Sequence, residues 1–219
     1  MPPCVKICGL TRTTDVEWAV ACGADAIGLV LAPSPRQVDH RSVRELLLAA
    51  GADVIKVAVF RSVATANVGR LADLGFDAIQ GGGETVAATP DTLAFLPVVT
   101  DGPGLQSRAT MALNRVRQAG SAVWSRLGSP DLLLDGPGGG GGGVVVDMCR
   151  ARALALCHRI VLAGGLTPEN VARSVAAIGP VAVDVSSGVE SGPGLKDHQR
   201  MKAFIEAART VAPTTEAIS

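Results

Sequence analysis

Short runs of Val, Ile and Leu recur along the chain, each followed by a longer stretch in which apolar residues return at helical spacing. A continuous apolar run of about four to eight residues reads as a strand buried on both faces, and its alternation with helices reads as a parallel sheet covered by helices. Eight such units can be placed, with strands predicted at 5–9, 25–31, 54–60, 77–80, 97–100, 132–135, 159–163 and 181–185. Three helix starts carry local signals. Thr14 is expected to cap a helix bearing Val16, Ala19 and Val20, and Thr167-Pro168-Glu169 offers a cap, a first-turn proline and an acidic first turn. Asp197 is expected to cap a final helix whose Met201, Phe204, Ile205 and Ala208 form one apolar face.

The pattern is weakest over 97–131, where Pro103, Gly104, Gly120, Gly128 and Pro130 interrupt it and leave the fifth unit of undefined length. Alternating strands and helices suit either a doubly wound open sheet or a closed barrel. Eight units in 219 residues leave about 27 each, a spacing that favours a single-domain (β/α)8 TIM barrel of the α/β class. The predicted domain is 1–212, with 213–219 a frayed tail.

Composition narrows the functional classes. Twenty basic and twenty acidic side chains cancel, and aromatic residues are only 3% of the chain, which speaks against nucleic-acid binding. No window approaches the ~18 uninterrupted apolar residues of a membrane span. Met-Pro-Pro-Cys-Val-Lys has none of the segments of a secretory signal, so the expected compartment is cytoplasmic. The five cysteines, Cys4, Cys8, Cys22, Cys149 and Cys157, are odd in number, and no two form a Cys-x-x-Cys pair. They read as reduced thiols rather than as disulfides or a zinc site. His40, His158 and His198 are isolated, so neither a metal nor a cofactor is expected.

In a barrel of this kind the chemistry sits where strands end and βα loops begin. Those positions hold Cys8-Gly9 after strand 1, Ser34-Pro35-Arg36 after strand 2, Asp135 after strand 6, Gly164-Gly165 after strand 7, and Asp184 with Ser186-Ser187-Gly188 after strand 8. The glycines and serines of the last two loops expose backbone N–H groups and form a phosphate cradle. The run Gly138 to Gly143 lacks the spacing and acidic partner of a dinucleotide fingerprint and reads as a loop. Cys8 and Asp135 supply two groups of different proton affinity. A carboxyl closing an apolar strand is partly desolvated and suits an acid, while a thiolate beside a cation suits a base. Lys6, two positions earlier, would point to the same side as Cys8. Arg36 presents a planar set of donors for a carboxylate or phosphate.

These residues resemble the phosphoribosylanthranilate isomerase family of tryptophan biosynthesis. The resemblance runs nearly end to end through Lys6-Ile7-Cys8-Gly9-Leu10-Thr11-Arg12, Ser34-Pro35-Arg36, Leu133-Leu134-Asp135, Leu162-Ala163-Gly164-Gly165-Leu166-Thr167-Pro168-Glu169-Asn170-Val171 and Asp184-Val185-Ser186-Ser187-Gly188-Val189-Glu190. It implies a metal-free barrel acting on a small phosphorylated aminosugar, as a monomer or homodimer. Asp135 would protonate the furanose ring oxygen and Cys8 would take the C2 proton of the opened Schiff base. Arg36 would hold the anthranilate carboxylate. Gly164, Gly165, Ser186, Ser187 and Gly188 would hold the phosphate, with Asp184 nearby. The sequence departs from the family after strand 4, where Gln80-Gly81-Gly82-Gly83 replaces Gln-Leu-His-Gly, and after strand 6, where Gly140 to Met148 lacks the Thr-Phe-Asp-Trp stretch. A paralogue using another N-substituted aminosugar phosphate, or a non-catalytic phosphate-binding barrel, is the alternative.

Overall fold

Each predicted strand pairs in parallel with its neighbour in sequence, and the last returns to the first, closing an eight-stranded barrel. The molecule is seen in a computed structural model that describes residues 1–62, 68–82, 93–114, 121–138 and 144–210. In chain order the elements are β1 (Cys4–Cys8), α1 (Thr13–Ala21), β2 (Ala26–Val30), α2 (His40–Ala49), β3 (Ile55–Ser62), α3 (Val68–Leu74), β4 (Ala78–Gly82), β5 (Ala94–Thr100), α4 (Leu105–Asn114), α5 (Ser121–Ser125), β6 (Leu132–Asp135), α6 (Met148–Cys157), β7 (Ile160–Leu162), α7 (Val171–Ile178) and β8 (Ala182–Val185). A 3-10 turn (Ser187–Val189), a small antiparallel pair, β9 (Glu190–Gly192) and β10 (Leu195–Lys196), and α8 (His198–Arg209) complete it.

The two faces of the strands separate two cores, as a period of two requires. Ala26, Ile55, Val57, Ala78, Ala94, Leu96, Leu133, Val161 and Ala182 fill the barrel, joined by Trp124 and Leu127 from α5 and the turn after it. The alternate residues, among them Ile7, Ile27, Leu29, Ile79, Leu134, Leu162 and Val183, pack outward against the helices. Several inward positions towards the strand ends carry a polar group or a thiol. They are Lys6 and Cys8, Gln80, Asp135 and Asp184, all buried.

The structure corrects several local expectations. Thr14 lies inside α1, and Arg12 occupies the cap position without a side-chain bond to it. Thr167 precedes a separate turn, and α7 begins at Val171 with Asn170 at its cap. β5 starts at Ala94 rather than 97, because Ala94 and Leu96 both face the barrel core. Asp197 does cap α8, accepting from the N–H groups of Gln199 and Arg200. The undefined stretch contains α4 and α5. Gly83, residues 139–143 of the glycine run and the tail from 213 lie outside the described residues. Among the described residues no helix is long and apolar enough to cross a membrane.

Candidate active site

The strands end in one cavity of about 410 Å³, lined by residues from the ends of β1 to β8 and the loops after them. Every residue singled out from the sequence, Cys8, Arg36, Asp135, Gly164, Gly165, Asp184, Ser186, Ser187 and Gly188, lies on its wall.

Cys8 and Asp135 approach it from opposite sides, from β1 and β6. Burial pushes the Cys8 thiol above its ordinary pKa, and Lys6 and Lys196 work against that shift. Burial likewise raises the Asp135 carboxyl above the usual range, against the Gly136 N–H, which donates to Asp135 Oδ1 at 2.8 Å. Asp135 thus favours its proton, as an acid must. Lys6 Nζ donates to Asp184 Oδ1 at 2.8 Å, across a β1–β8 register that sets these two residues side by side.

The seventh and eighth loops meet as an open backbone surface. Gly164 has φ +80, and a Cβ there would run into the backbone of Gly136; a Cβ at Gly188 would run into the Leu166 carbonyl. Both loops approach their neighbours at distances that only glycine permits. Among the described residues the N–H groups of Gly164 and Gly165 have no hydrogen-bond partner, which leaves two donors on the cavity wall for an anion.

Arg36 is held more firmly than its loop position suggested. Its Nε and Nη2 donate to the two carboxylate oxygens of Glu190 at 2.8 and 2.7 Å, a two-point pair. Lys196 Nζ donates to Glu190 Oε1 at 2.8 Å and to the Ser186 carbonyl at 3.0 Å, tying the Arg36 pair to the eighth loop. Burial works to raise Glu190, but Arg36 and Lys196 outweigh it and keep the carboxylate ionised. Glu190 and Lys196 were not candidates in the sequence. Glu190 stood in the family-like motif without an assigned role, and nothing marked the β9–β10 hairpin. Among the described residues no group of His, Cys, Asp and Glu side chains is arranged to hold a metal ion.

Fold and site together define a single-domain (β/α)8 barrel with a buried carboxyl, Asp135, and a buried thiol, Cys8, on the wall of one cavity at the strand ends. Residues 5–207 match the family model for N-(5'phosphoribosyl)anthranilate (PRA) isomerase. The N-(5'-phosphoribosyl)anthranilate isomerase of Roseiflexus sp. (strain RS-1) is 39% identical over 222 residues, covering 95% of this chain and 98% of that protein. Among solved structures, phosphoribosyl anthranilate isomerase from Thermotoga maritima superposes with a TM-score of 0.77 at 30% identity, covering 95% of this chain and 100% of that one. A phosphoribosyl anthranilate isomerase in complex with reduced 1-(o-carboxyphenylamino)-1-deoxyribulose 5-phosphate superposes with a TM-score of 0.74 at 28% identity, with the same coverage. The chain belongs to the N-(5'-phosphoribosyl)anthranilate isomerase family.

Proposed function

We propose that the protein isomerises N-(5'-phosphoribosyl)anthranilate to 1-(2-carboxyphenylamino)-1-deoxyribulose 5-phosphate, an Amadori rearrangement in tryptophan biosynthesis. The observation that carries this is the facing of Cys8 and Asp135 across one cavity whose seventh and eighth loops leave backbone donors open. Asp135 donates a proton to the furanose ring oxygen as the C1–O bond breaks, giving a Schiff base between C1 and the anthranilate nitrogen. Cys8, as thiolate, takes the proton from C2, and the electron pair moves to form an enolamine. The enol hydroxyl loses its proton as C1 gains one, leaving a ketone at C2. The donors of Gly164 and Gly165, with Ser186, Ser187 and Gly188, hold the phosphate, and Asp184 stands beside them. Arg36 keeps one edge on Glu190 and turns its Nη1 donors to the substrate carboxylate.

The same reading extends to a cytoplasmic enzyme that acts as a monomer or homodimer, two states that sedimentation of the purified chain distinguishes. Gly82 lines the cavity where the family carries a histidine, and this favours a second reading in which the same chemistry acts on a bulkier amine. Complementation of a tryptophan auxotroph and a direct isomerase assay test the first reading. Turnover of phosphoribosylanthranilate is expected. No turnover of it, with turnover of another N-substituted aminosugar phosphate, favours the second, and no turnover of either refutes both.

A further inference from the structure

One buried cation has no part in the steps above. The Lys6 side chain has no solvent exposure, and it lies two residues before Cys8 on the same face of β1. An ammonium taken out of water is expensive, and a buried ion pair returns at best about what its desolvation costs. Stability therefore gives no account of why a lysine stands there. Its surroundings do. Cys8 is in register with Gly28 of β2. A Cβ at Gly28 would stand 2.8 Å from Cys8 Sγ and 3.0 Å from Lys6 Nζ. Thiol and ammonium thus share the space over a residue without a side chain, close enough for the charge on one to act on the other.

We propose that Lys6 is a positioning residue for the isomerisation: its ammonium stabilises the ionised form of the Cys8 sulfur over Gly28, against the burial that favours the thiol, and Asp184 holds the ammonium. The inference rests on the assignment of Cys8 as the base. The thiol proton leaves to water at the cavity mouth, the sulfur then takes the C2 proton, and Lys6 keeps its three protons throughout. Lys6 is suited to this because burial, which would strip its proton, is outweighed by Asp184 and Cys8. The charged groups acting on the sulfur are Lys6 from β1, Asp184 from β8, Lys196 from β10 and Arg36 from the loop after β2. The three cations favour the thiolate and Asp184 opposes it, so removing Lys6 and removing Asp184 act in opposite directions.

The test is alkylation of the ligand-free protein by iodoacetamide over a pH series, following the Cys8 peptide by mass spectrometry to separate it from the other cysteines. Lys6→Met is expected to move the midpoint of Cys8 alkylation to higher pH and to slow the reaction by about tenfold or more near neutrality. Asp184→Asn is expected to move it to lower pH. If Lys6 only braced the barrel, both substitutions would loosen the site and shift Cys8 the same way, towards faster reaction at every pH. An unmoved or lowered midpoint in Lys6→Met overturns the proposal. Should Lys6→Met not fold, the double variant Lys6→Met with Asp184→Asn removes both buried charges, and the same comparison is made against Asp184→Asn. The alkylation arm uses no substrate. Wild-type protein without isomerase activity but with these opposite shifts would refute the proposed function alone, and an active enzyme without them would refute only the role of Lys6.

Discussion

Replacing Asp135 with asparagine exchanges one oxygen for a nitrogen at the end of β6 and leaves the packing of Leu132, Leu133 and Leu134 unchanged. The retained oxygen can still accept from the Gly136 N–H. What changes is charge. The residue is 9% exposed, and burial holds its carboxyl above the ordinary carboxylate range. A carboxyl with a higher pKa folded than unfolded binds protons more readily in the folded state. Its ionised form therefore weighs against folding above the folded pKa, and this burden vanishes below the unfolded one. At about pH 7 the wild type bears it and the asparagine variant does not. A single stabilising substitution commonly contributes about 0.5–2 kcal/mol. For a chain of 219 residues, that raises Tm by about 1–8 °C. The same change removes the general acid and should lower kcat by ~10²–10⁴, or about 3–5 kcal/mol of barrier. Calorimetric unfolding from about pH 7 down to about pH 4, beside steady-state isomerase kinetics, measures both. The gain in Tm should shrink as pH falls. A variant that loses stability together with activity would make Asp135 a strand-end brace, and one that keeps more than about a tenth of kcat would show that the acid lies elsewhere.

Four further outcomes are expected. Catalysis requires Asp135 protonated and Cys8 ionised at once, a state with the same proton count as its reverse, so kcat/KM should follow a bell. With both groups raised by burial, its acid limb should lie above the ordinary aspartate pKa and its alkaline limb above that of a free thiol; an acid limb below about 4 would contradict this. Gly164→Ala places a Cβ at φ +80 against the Gly136 backbone, and inhibition by inorganic phosphate should weaken by about tenfold or more; an unchanged inhibition constant would move the phosphate site elsewhere. Glu190→Gln frees Arg36 from its two-point pair, so KM should rise for the carboxylate-bearing substrate while inorganic phosphate inhibits as before; equal losses in both would assign Glu190 to the loop instead. Asp101 is held below its ordinary pKa by Arg150, so it contributes stability above the unfolded pKa that is lost as pH falls through the lower folded one. Asp101→Asn should flatten the acid side of the stability curve, and an unchanged slope would refute the contribution.

The barrel was legible because the strands are short runs rich in Val, Ile and Leu, and because eight such units in 219 residues leave a spacing that favours closure. The acid and thiol were legible for the same reason: Asp135 breaks the run of Leu132 to Leu134, and Cys8 ends β1. Local signals were less reliable. Thr14 has the chemistry of a cap, but it lies inside α1, and Arg12, paired with Asp15, stands at the cap position. The sequence hid the partners of the site. Arg36 meets Glu190 across 154 positions, and Lys6 meets Asp184 across 178, through a barrel closure that no local periodicity encodes. Lys6 could be placed on the side of Cys8 by counting two residues, whereas the space they share depends on Gly28 of the next strand.

The seam between β1 and β8 also bears on how the chain reaches its native state. The partner that makes Lys6 tolerable inside the barrel is synthesised 178 residues after it. Until β8 arrives, a buried β1 would hold an uncompensated ammonium, so the first strand is better left in water than folded against β2 alone. The nascent chain therefore gains little by closing early, and the closure entropy of the longest loop is met at the end. A ribosome-bound fragment that stops before Asp184 should alkylate at Cys8 as fast as a free thiol, and release of the finished chain should slow that reaction, which makes the thiol a reporter of barrel closure during synthesis.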